Sequence, residues 1–235
     1  MIPISETKVL DHGLLAIESV WGDDLRPARI ARTSFRNSDA DKTRLENEGL
    51  IKYLQRHHHD TPFEFCGVTV YAVMPIMTAR QWVRHRAASI NEESLRYVDA
   101  RREFYVPAAD RCQLQSQSNK QGSSVECVED PQFVRDLIER TNNASFDAYD
   151  QLLETGLARE LARSVLPLGT YTAWYWQANL RMLLHFLSLR TDPHAQYELR
   201  VYAEAMLEQV RPIFPTVIKA WEAESARCSV GVTLP

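Results

Sequence analysis

The sequence predicts a single α+β domain in which a small, mostly antiparallel sheet is flanked by helices. A chain of 235 residues can bury roughly three quarters of its extended surface, so it needs no disulfide or metal for stability. Hydrophobic residues make up 45% and charged residues 25%, which excludes a disordered, collagen-like or coiled-coil chain. Strand-like and helix-like segments follow each other without a repeat or a linker, so we expect one domain over residues 1–235.

The first elements are a strand pair and two helices. Residues 8–20 place apolar side chains around His12-Gly13, which predicts a hairpin or two short strands. A short helix is expected near Pro27. Leucines and a tyrosine at helical spacing predict a longer helix over 42–57, with Ser38-Asp39 supplying capping oxygens.

A strand and a helix follow the turn at 57–62. Residues 63–74 are rich in Val, Phe, Tyr and Thr, which predicts a strand. Pro75 ends that strand and permits a helix to begin. This helix, over 76–86, leads into a loop.

The second half is mostly helical. Residues 107–129 are polar, and we expect a mobile surface loop there. A long helix begins after Pro131 and stops at Gly156. Another helix is expected to begin near Ala158. Residues 170–179 are either a strand or the lead into the next helix. Three further helices are predicted over 180–189, 193–210 and 215–226.

Composition limits the classes of partner. The net charge is −4, whereas a general nucleic-acid binder is basic over a whole face, so no nucleic acid is expected. The four cysteines have no CxxC spacing, and the adjacent histidines 57–59 point in different directions, so we expect no metal site. No signal peptide and no membrane-spanning run is found, which favours a soluble, cytoplasmic protein without membrane contact.

Positive charge is concentrated in residues 84–97, which begin Arg84-His85-Arg86. Arg80 and Arg84 are four residues apart and repel each other unless an anion lies between them. The planar guanidinium suits phosphate, because it forms paired, charge-assisted hydrogen bonds. Arginine–carboxylate pairing with Glu92, Glu93 and Asp99 is the alternative, and charge alone leaves both open.

Three groups of motifs resemble those of the flavin-dependent thymidylate synthases. Arg-His-Arg is followed after seven residues by a serine, Ser94, as in the signature of that family. Residues 59–64 (His-Asp-Thr-Pro-Phe-Glu) resemble a second family element. Residues 163–167, 179–181 and 189–196 are similar to its C-terminal half in order and spacing.

The resemblance implies a homotetramer with FAD and dUMP bound at subunit interfaces. Such an enzyme makes dTMP, taking its carbon from 5,10-methylenetetrahydrofolate and its reducing power from NADPH. By motif position the FAD contacts are Thr61, Arg84, His85, Arg86, Glu92, Asn179, Leu180, Arg181 and His185, with His59 and His194 as weaker candidates. The dUMP contacts are Gln81, Trp82, Val83, Arg84, Glu92, Glu93, Ser94, Leu95, Arg96, Arg163 and Arg190.

Arg190 is the candidate catalytic residue under this resemblance. A guanidinium beside N3 and O4 of uracil stabilises the negative charge that develops when C5 attacks the carbon donor. The alternative is a purely structural role, in which the Arg190 cation stabilises the C-terminus of a helix through the helix dipole. Ser94 has no Ser-His-acid arrangement nearby, so phosphate binding is favoured over a nucleophilic role.

Several features leave alternatives open. His185 stands where some family members carry asparagine, and Phe35 stands where many carry tyrosine, so both contacts differ from the family pattern. The aromatic residues Trp82, Trp174, Tyr175 and Trp176 either stack on a flavin or folate ring or fill the core. Two other functions also fit the arginines: a nucleotide or RNA binder without redox chemistry, and an ion-pair network at an oligomer interface.

Overall fold

A five-stranded antiparallel sheet carries the fold in the computed structural model, which describes residues 4–35, 42–117 and 121–229. The strands are β1 (Ser5–Val9), β2 (Gly13–Trp21), β3 (Gly67–Pro75), β4 (Ser89–Glu92), β5 (Gln113–Gln115), β6 (Ser123–Cys127) and β7 (Tyr171–Asn179). The α-helices are α1 (Arg26–Arg32), α2 (Arg44–Arg56), α3 (Ile76–Trp82), α4 (Pro131–Glu154), α5 (Arg159–Ala162), α6 (Leu180–Arg190), α7 (Tyr197–Val210) and α8 (Pro215–Ser229). The α+β prediction is confirmed.

The main sheet has the strand order β1-β2-β3-β7-β4, with antiparallel pairing throughout. Val68, Val70 and Ala72 of the central strand β3 are fully buried. Helix α6 packs against β3 and β7, helix α7 packs against β1 and β2, and their buried leucines join the same core. Burial of this continuous apolar surface supplies the main stabilising free energy of the fold.

The N-terminal predictions agree with the structure except for one cap. Strands β1 and β2 form the expected hairpin, and α1 contains Pro27. Helix α2 is capped by Thr43, whose hydroxyl accepts from the Glu46 N–H at 3.3 Å while the Glu46 carboxylate accepts from the Thr43 N–H at 2.8 Å. This capping box takes the role predicted for Ser38 and Asp39, which lie outside the described residues.

Two boundaries around β3 and α3 differ from the prediction. Residues 61–65 form a 3₁₀ helix, so the strand begins at Gly67 instead of residue 63. Helix α3 ends at Trp82, four residues early, because a turn follows at Val83. Part of the expected loop after it is strand β4, which pairs with β7 from Ser89–Gln177 to Glu92–Trp174. That partner is distant in sequence, so no local pattern indicates it.

The described residues of the polar segment 107–129 contain more secondary structure than predicted. Residues 109–111 form a 3₁₀ turn, and β5 pairs with β6 as a two-stranded antiparallel sheet. The mobility of this segment stays a prediction. Both alternatives for residues 170–179 hold, since this segment is strand β7 and leads directly into α6. Helix α7 begins at Tyr197 instead of the predicted residue 193.

Candidate active site

Trp82 fixes the point from which the Arg-His-Arg segment leaves α3. Its indole is fully buried and stacks on Phe186 of α6 with 4.8 Å between ring centroids. The backbone turns immediately afterwards, so Arg84 and Arg86 are exposed while His85 between them is partly buried. Three consecutive residues therefore separate into two outward cations and one inward ring.

His85 contacts the candidate catalytic arginine. The Nε of Arg190 donates a hydrogen bond to Nε2 of His85 at 3.0 Å. The His85 ring also meets Phe186 edge-on at 5.0 Å and His185 at 5.9 Å between centroids. Since arginine has no acceptor, Nε2 of His85 carries no proton in this arrangement and the ring proton sits on Nδ1.

The electrostatics of this pair favour a neutral imidazole. Burial, followed by the positive charge of Arg190 and by His185, lowers the pKa of His85 to about 4. Burial also lowers the pKa of Arg190, which nevertheless stays cationic at any physiological pH. The site thus pairs a permanent cation with a neutral ring that still has one N–H to donate.

Arg181 and a neighbouring cavity occupy the start of α6. Asn179 caps the helix by accepting from the Met182 N–H at 2.9 Å. Arg181 bonds Glu64 at 2.5 Å and lies 3.6 Å from Asp60, so α6 is tied to the 3₁₀ helix that begins at Thr61. A cavity of about 800 Å³ opens here, lined among others by Asp60, Phe63, Arg181, His185, Asp192 and Trp221. Its size suits a large ligand.

Ser94 and Arg96 form one unit beyond β4. The Ser94 hydroxyl oxygen accepts from the Nε and the backbone N–H of Arg96 at 3.3 and 3.4 Å. The guanidinium lies over the ring of Tyr97, 5.3 Å from its centroid. The serine is therefore held by a cation and not by a base, which agrees with anion binding.

The alternative arginine–carboxylate network is not formed in the part of the chain that the structure describes. Glu92 accepts from the Thr172 hydroxyl at 2.7 Å, Glu93 pairs with Arg101 at 3.1 Å, and Asp99 pairs with Arg159 at 2.6 Å. Arg84 and Arg86 have no ion pair with any described carboxylate. Two exposed arginines without counter-charges suit an anionic ligand.

Two predicted contacts fall on buried residues. The Trp82 and Leu180 side chains are fully buried, so a nucleotide or flavin would meet these positions through the backbone. The Leu180 N–H is also occupied, since it donates to the Cys66 carbonyl at 2.7 Å. Trp174 and Trp176 are buried in the core, whereas Tyr175 is 42% exposed.

The other candidates are dispersed. Arg163 lies in a 3₁₀ helix, is exposed and donates to the Glu160 carbonyl at 3.4 Å. His194 contacts Asp192 at 2.9 Å, and His59 lies beside Tyr53. Phe35 is 83% exposed. Val83 and Leu95 are partly buried beside the two arginine segments.

Sequence reasoning did not single out some residues that hold the site together. Thr172 bonds Glu92, Phe186 packs between Trp82 and His85, and Gln196 accepts from Gln81. None of these partners is close in sequence to the residue it contacts. The described residues contain no group of three or more His, Cys, Asp or Glu that would hold a metal, and no helix long and apolar enough to cross a membrane.

The fold is of the α+β class, and the site places exposed arginines near a neutral histidine, an arrangement that suits an anionic ligand. The family model "Thymidylate synthase complementing protein" matches residues 16–216. A flavin-dependent thymidylate synthase of Gluconobacter oxydans (strain 621H) is 47% identical over 219 residues, covering 92% of this chain and 72% of the relative. One of Wolbachia pipientis wMel is 44% identical over 219 residues, covering 92% and 76%.

Solved structures agree with these relatives. PolB of Streptomyces cacaoi, a UMP/dUMP methylase bound with 5-Br dUMP, superposes with a TM-score of 0.84 at 34% identity, covering 92% of this chain and 97% of PolB. The chain belongs to the flavin-dependent thymidylate synthase family. It is therefore a flavin-using methyltransferase of dTMP synthesis.

Proposed function

We propose that this chain methylates dUMP to dTMP with bound FAD, using 5,10-methylenetetrahydrofolate as carbon donor and NADPH as reductant and yielding tetrahydrofolate. The observation that carries the proposal is the Arg190–His85 pair. The His85 ring lies 5.9 Å from the ring of His185, which lines the cavity of about 800 Å³. The unpaired Arg84 and Arg86 and the Ser94–Arg96 unit supply cations for a dinucleotide and a nucleotide phosphate.

The described side chains suit FAD in number and chemistry. Arg181 and His185 line the cavity, and Thr61 adjoins it at the start of its 3₁₀ helix. Arg84, His85, Arg86, Glu92 and Asn179 complete the proposed set. Bound FAD supplies the hydride that reduces the transferred carbon. The neutral His85 ring offers its Nδ1–H to a ligand, since Nε2 is engaged by Arg190.

Arg190 is proposed to act on the uracil ring. Its Nε is engaged by His85, which leaves the terminal nitrogens to meet the ring oxygen where negative charge develops. Pre-organised donors cost no reorganisation during the reaction. Ser94 and Arg96 would hold the phosphate, with Gln81, Val83, Leu95, Glu92 and Glu93 around the rest of the nucleotide.

The site is proposed to be completed by a second subunit of a homotetramer. Arg163 is exposed and donates to the Glu160 carbonyl of its own chain, and we place it in the nucleotide site of a neighbouring subunit. Leu161 and Leu168 close to it are 56% and 66% exposed, which favours burial against another subunit. The molar mass measured by light scattering as the protein elutes from a size-exclusion column distinguishes a tetramer from a monomer.

Flavin absorbance and coupled turnover test the proposal. Purified protein loaded with FAD is expected to absorb as a flavoprotein, to oxidise NADPH in response to dUMP, and to form dTMP with the folate present. Arg190→Ala is expected to lower kcat at least about a hundredfold, as loss of a pre-organised donor does. Arg211→Ala, which removes pairs with Glu208 and Glu222 at the surface, is the matched control and should keep full activity. A protein that binds no FAD contradicts the proposal, as does equal activity of the Arg190 variant.

RNA binding by the same arginines is the second function considered. It predicts an affinity that falls steeply with salt and does not depend on flavin. The net charge of −4 disfavours it.

A further inference from the structure

A buried carboxylate lies behind the proposed nucleotide site. Glu198 of α7 is 7% exposed, and its Oε1 accepts from the Tyr105 hydroxyl at 3.2 Å and lies 3.6 Å from the Arg111 guanidinium. Its Oε2 accepts from Nε2 of Gln196 at 2.9 Å. The Oε1 of Gln196 in turn accepts from Nε2 of Gln81.

The order of donors and acceptors along these contacts is fixed by the charge of Glu198. An ionised carboxylate only accepts, so Gln196 must turn its NH₂ group towards Glu198 and its oxygen towards Gln81. Gln81 must then turn its own NH₂ group towards Gln196. The acceptor oxygen Oε1 of Gln81 then points away from Gln196 towards a ligand, with the second N–H of the same amide beside it.

Arg111 keeps this order in place. Its guanidinium is the cation nearest to the buried carboxylate, and it stacks over the Tyr197 ring with 4.3 Å to the centroid. A buried carboxylate without a cation is strongly disfavoured, so the Arg111 guanidinium supports the charge that orders the two amides. Arg111 belongs to segment 107–129, to which the sequence assigned no function.

We propose that Glu198 is a positioning residue: through Gln196 it makes Gln81 present a hydrogen-bond acceptor to a donor group of the nucleotide. This inference rests on the proposed function, which places Gln81 against dUMP. The nucleotide offers two donors of this kind, the uracil N3–H and the deoxyribose 3′-hydroxyl. In either case the relay selects a donor on the ligand, because an acceptor facing Oε1 would leave both groups unpaired.

Calorimetric binding of dUMP to the FAD-loaded protein tests the relay without requiring turnover. Glu198→Gln keeps the shape and removes the charge, so dUMP is expected to bind about three- to tenfold more weakly, which corresponds to one hydrogen bond. Gln196→Met changes an exposed side chain without touching the core, and it should cause the same loss. The double variant should bind no more weakly than either single one. Glu208→Gln on the same helix, which loses only an exposed pair with Arg211, should bind as the wild type does.

Two analogues identify the donor: N3-methyl-dUMP, which lacks N3–H, and 3′-deoxy-dUMP, which lacks the 3′-hydroxyl. For the analogue without the recognised donor, wild type and Glu198→Gln should bind equally, while the other analogue should keep the difference. Unchanged dUMP affinity in Glu198→Gln and Gln196→Met overturns the relay, and so does an equal loss with both analogues. Wild-type protein that binds dUMP but makes no dTMP contradicts the proposed function and leaves the relay standing; absence of dUMP binding overturns both.

Discussion

Mild acid is expected to destabilise this protein through His85. Burial, Arg190 and His185 hold the pKa of His85 at about 4 in the folded chain, against 6.5 for an unperturbed histidine. Because the folded pKa is the lower one, the stabilisation is complete above pH 6.5 and is lost as the pH falls towards 4. Linkage gives a loss of about 2 kcal/mol between pH 7 and pH 5 for a fully shielded ring. The ring is partly exposed, so we expect about 1 kcal/mol.

Urea unfolding of wild type and His85→Gln at pH 7 and pH 5 measures this contribution. The glutamine cannot titrate, yet its amide oxygen can still accept from Arg190. The other titrating groups are common to both proteins, so the difference between the two pH dependences isolates His85. The wild type should lose about 1 kcal/mol more than the variant on acidification. Equal losses in both proteins would refute the assignment of a depressed pKa to His85.

The remaining predictions concern the flavin site and the sheet. Arg181→Ala is expected to weaken FAD binding about tenfold in a flavin fluorescence titration, because a charge-assisted contact is removed. The melting temperature of the flavin-free protein should stay within about 1–2 °C of the wild-type value in thermal unfolding, since the pairs of Arg181 with carboxylates are exposed. Gly67→Ala is expected to destabilise by about 1–3 kcal/mol in urea unfolding, because its Cβ would overlap the Ala178 carbonyl oxygen of the neighbouring strand. Gly49→Ala in α2 is the matched substitution with no atom within 4 Å of the new Cβ, and a gain of about 0.5–1 kcal/mol is expected; a loss there would contradict the reasoning.

Local patterns predicted most of the elements because their causes are local. Gly156, at a φ of 81°, lies just beyond α4 as expected for a residue that can adopt that conformation. Pro75 ends β3 and precedes α3 as predicted. Strand β4 was missed because it exists only through pairing with β7, more than 80 residues away. Thr43 caps α2 in place of the predicted Ser38-Asp39. The exact first residue of a helix decides which side chain can cap it, and sequence patterns locate that residue only to within a few positions.

The sequence by itself determined the family, the α+β class and the residue types that bind anions, because motif spacing and hydrophobic periodicity are written along the chain. Only the tertiary structure decided which of those side chains remain available to a ligand. Trp82 and Leu180 stand inside the motifs and are buried, while Arg84 beside them is exposed. It also decided that Arg190 meets His85 across 105 positions, and that contact removes the imidazole charge. Burial and charge proximity depend on distances in space, and these are set by packing between elements remote in sequence.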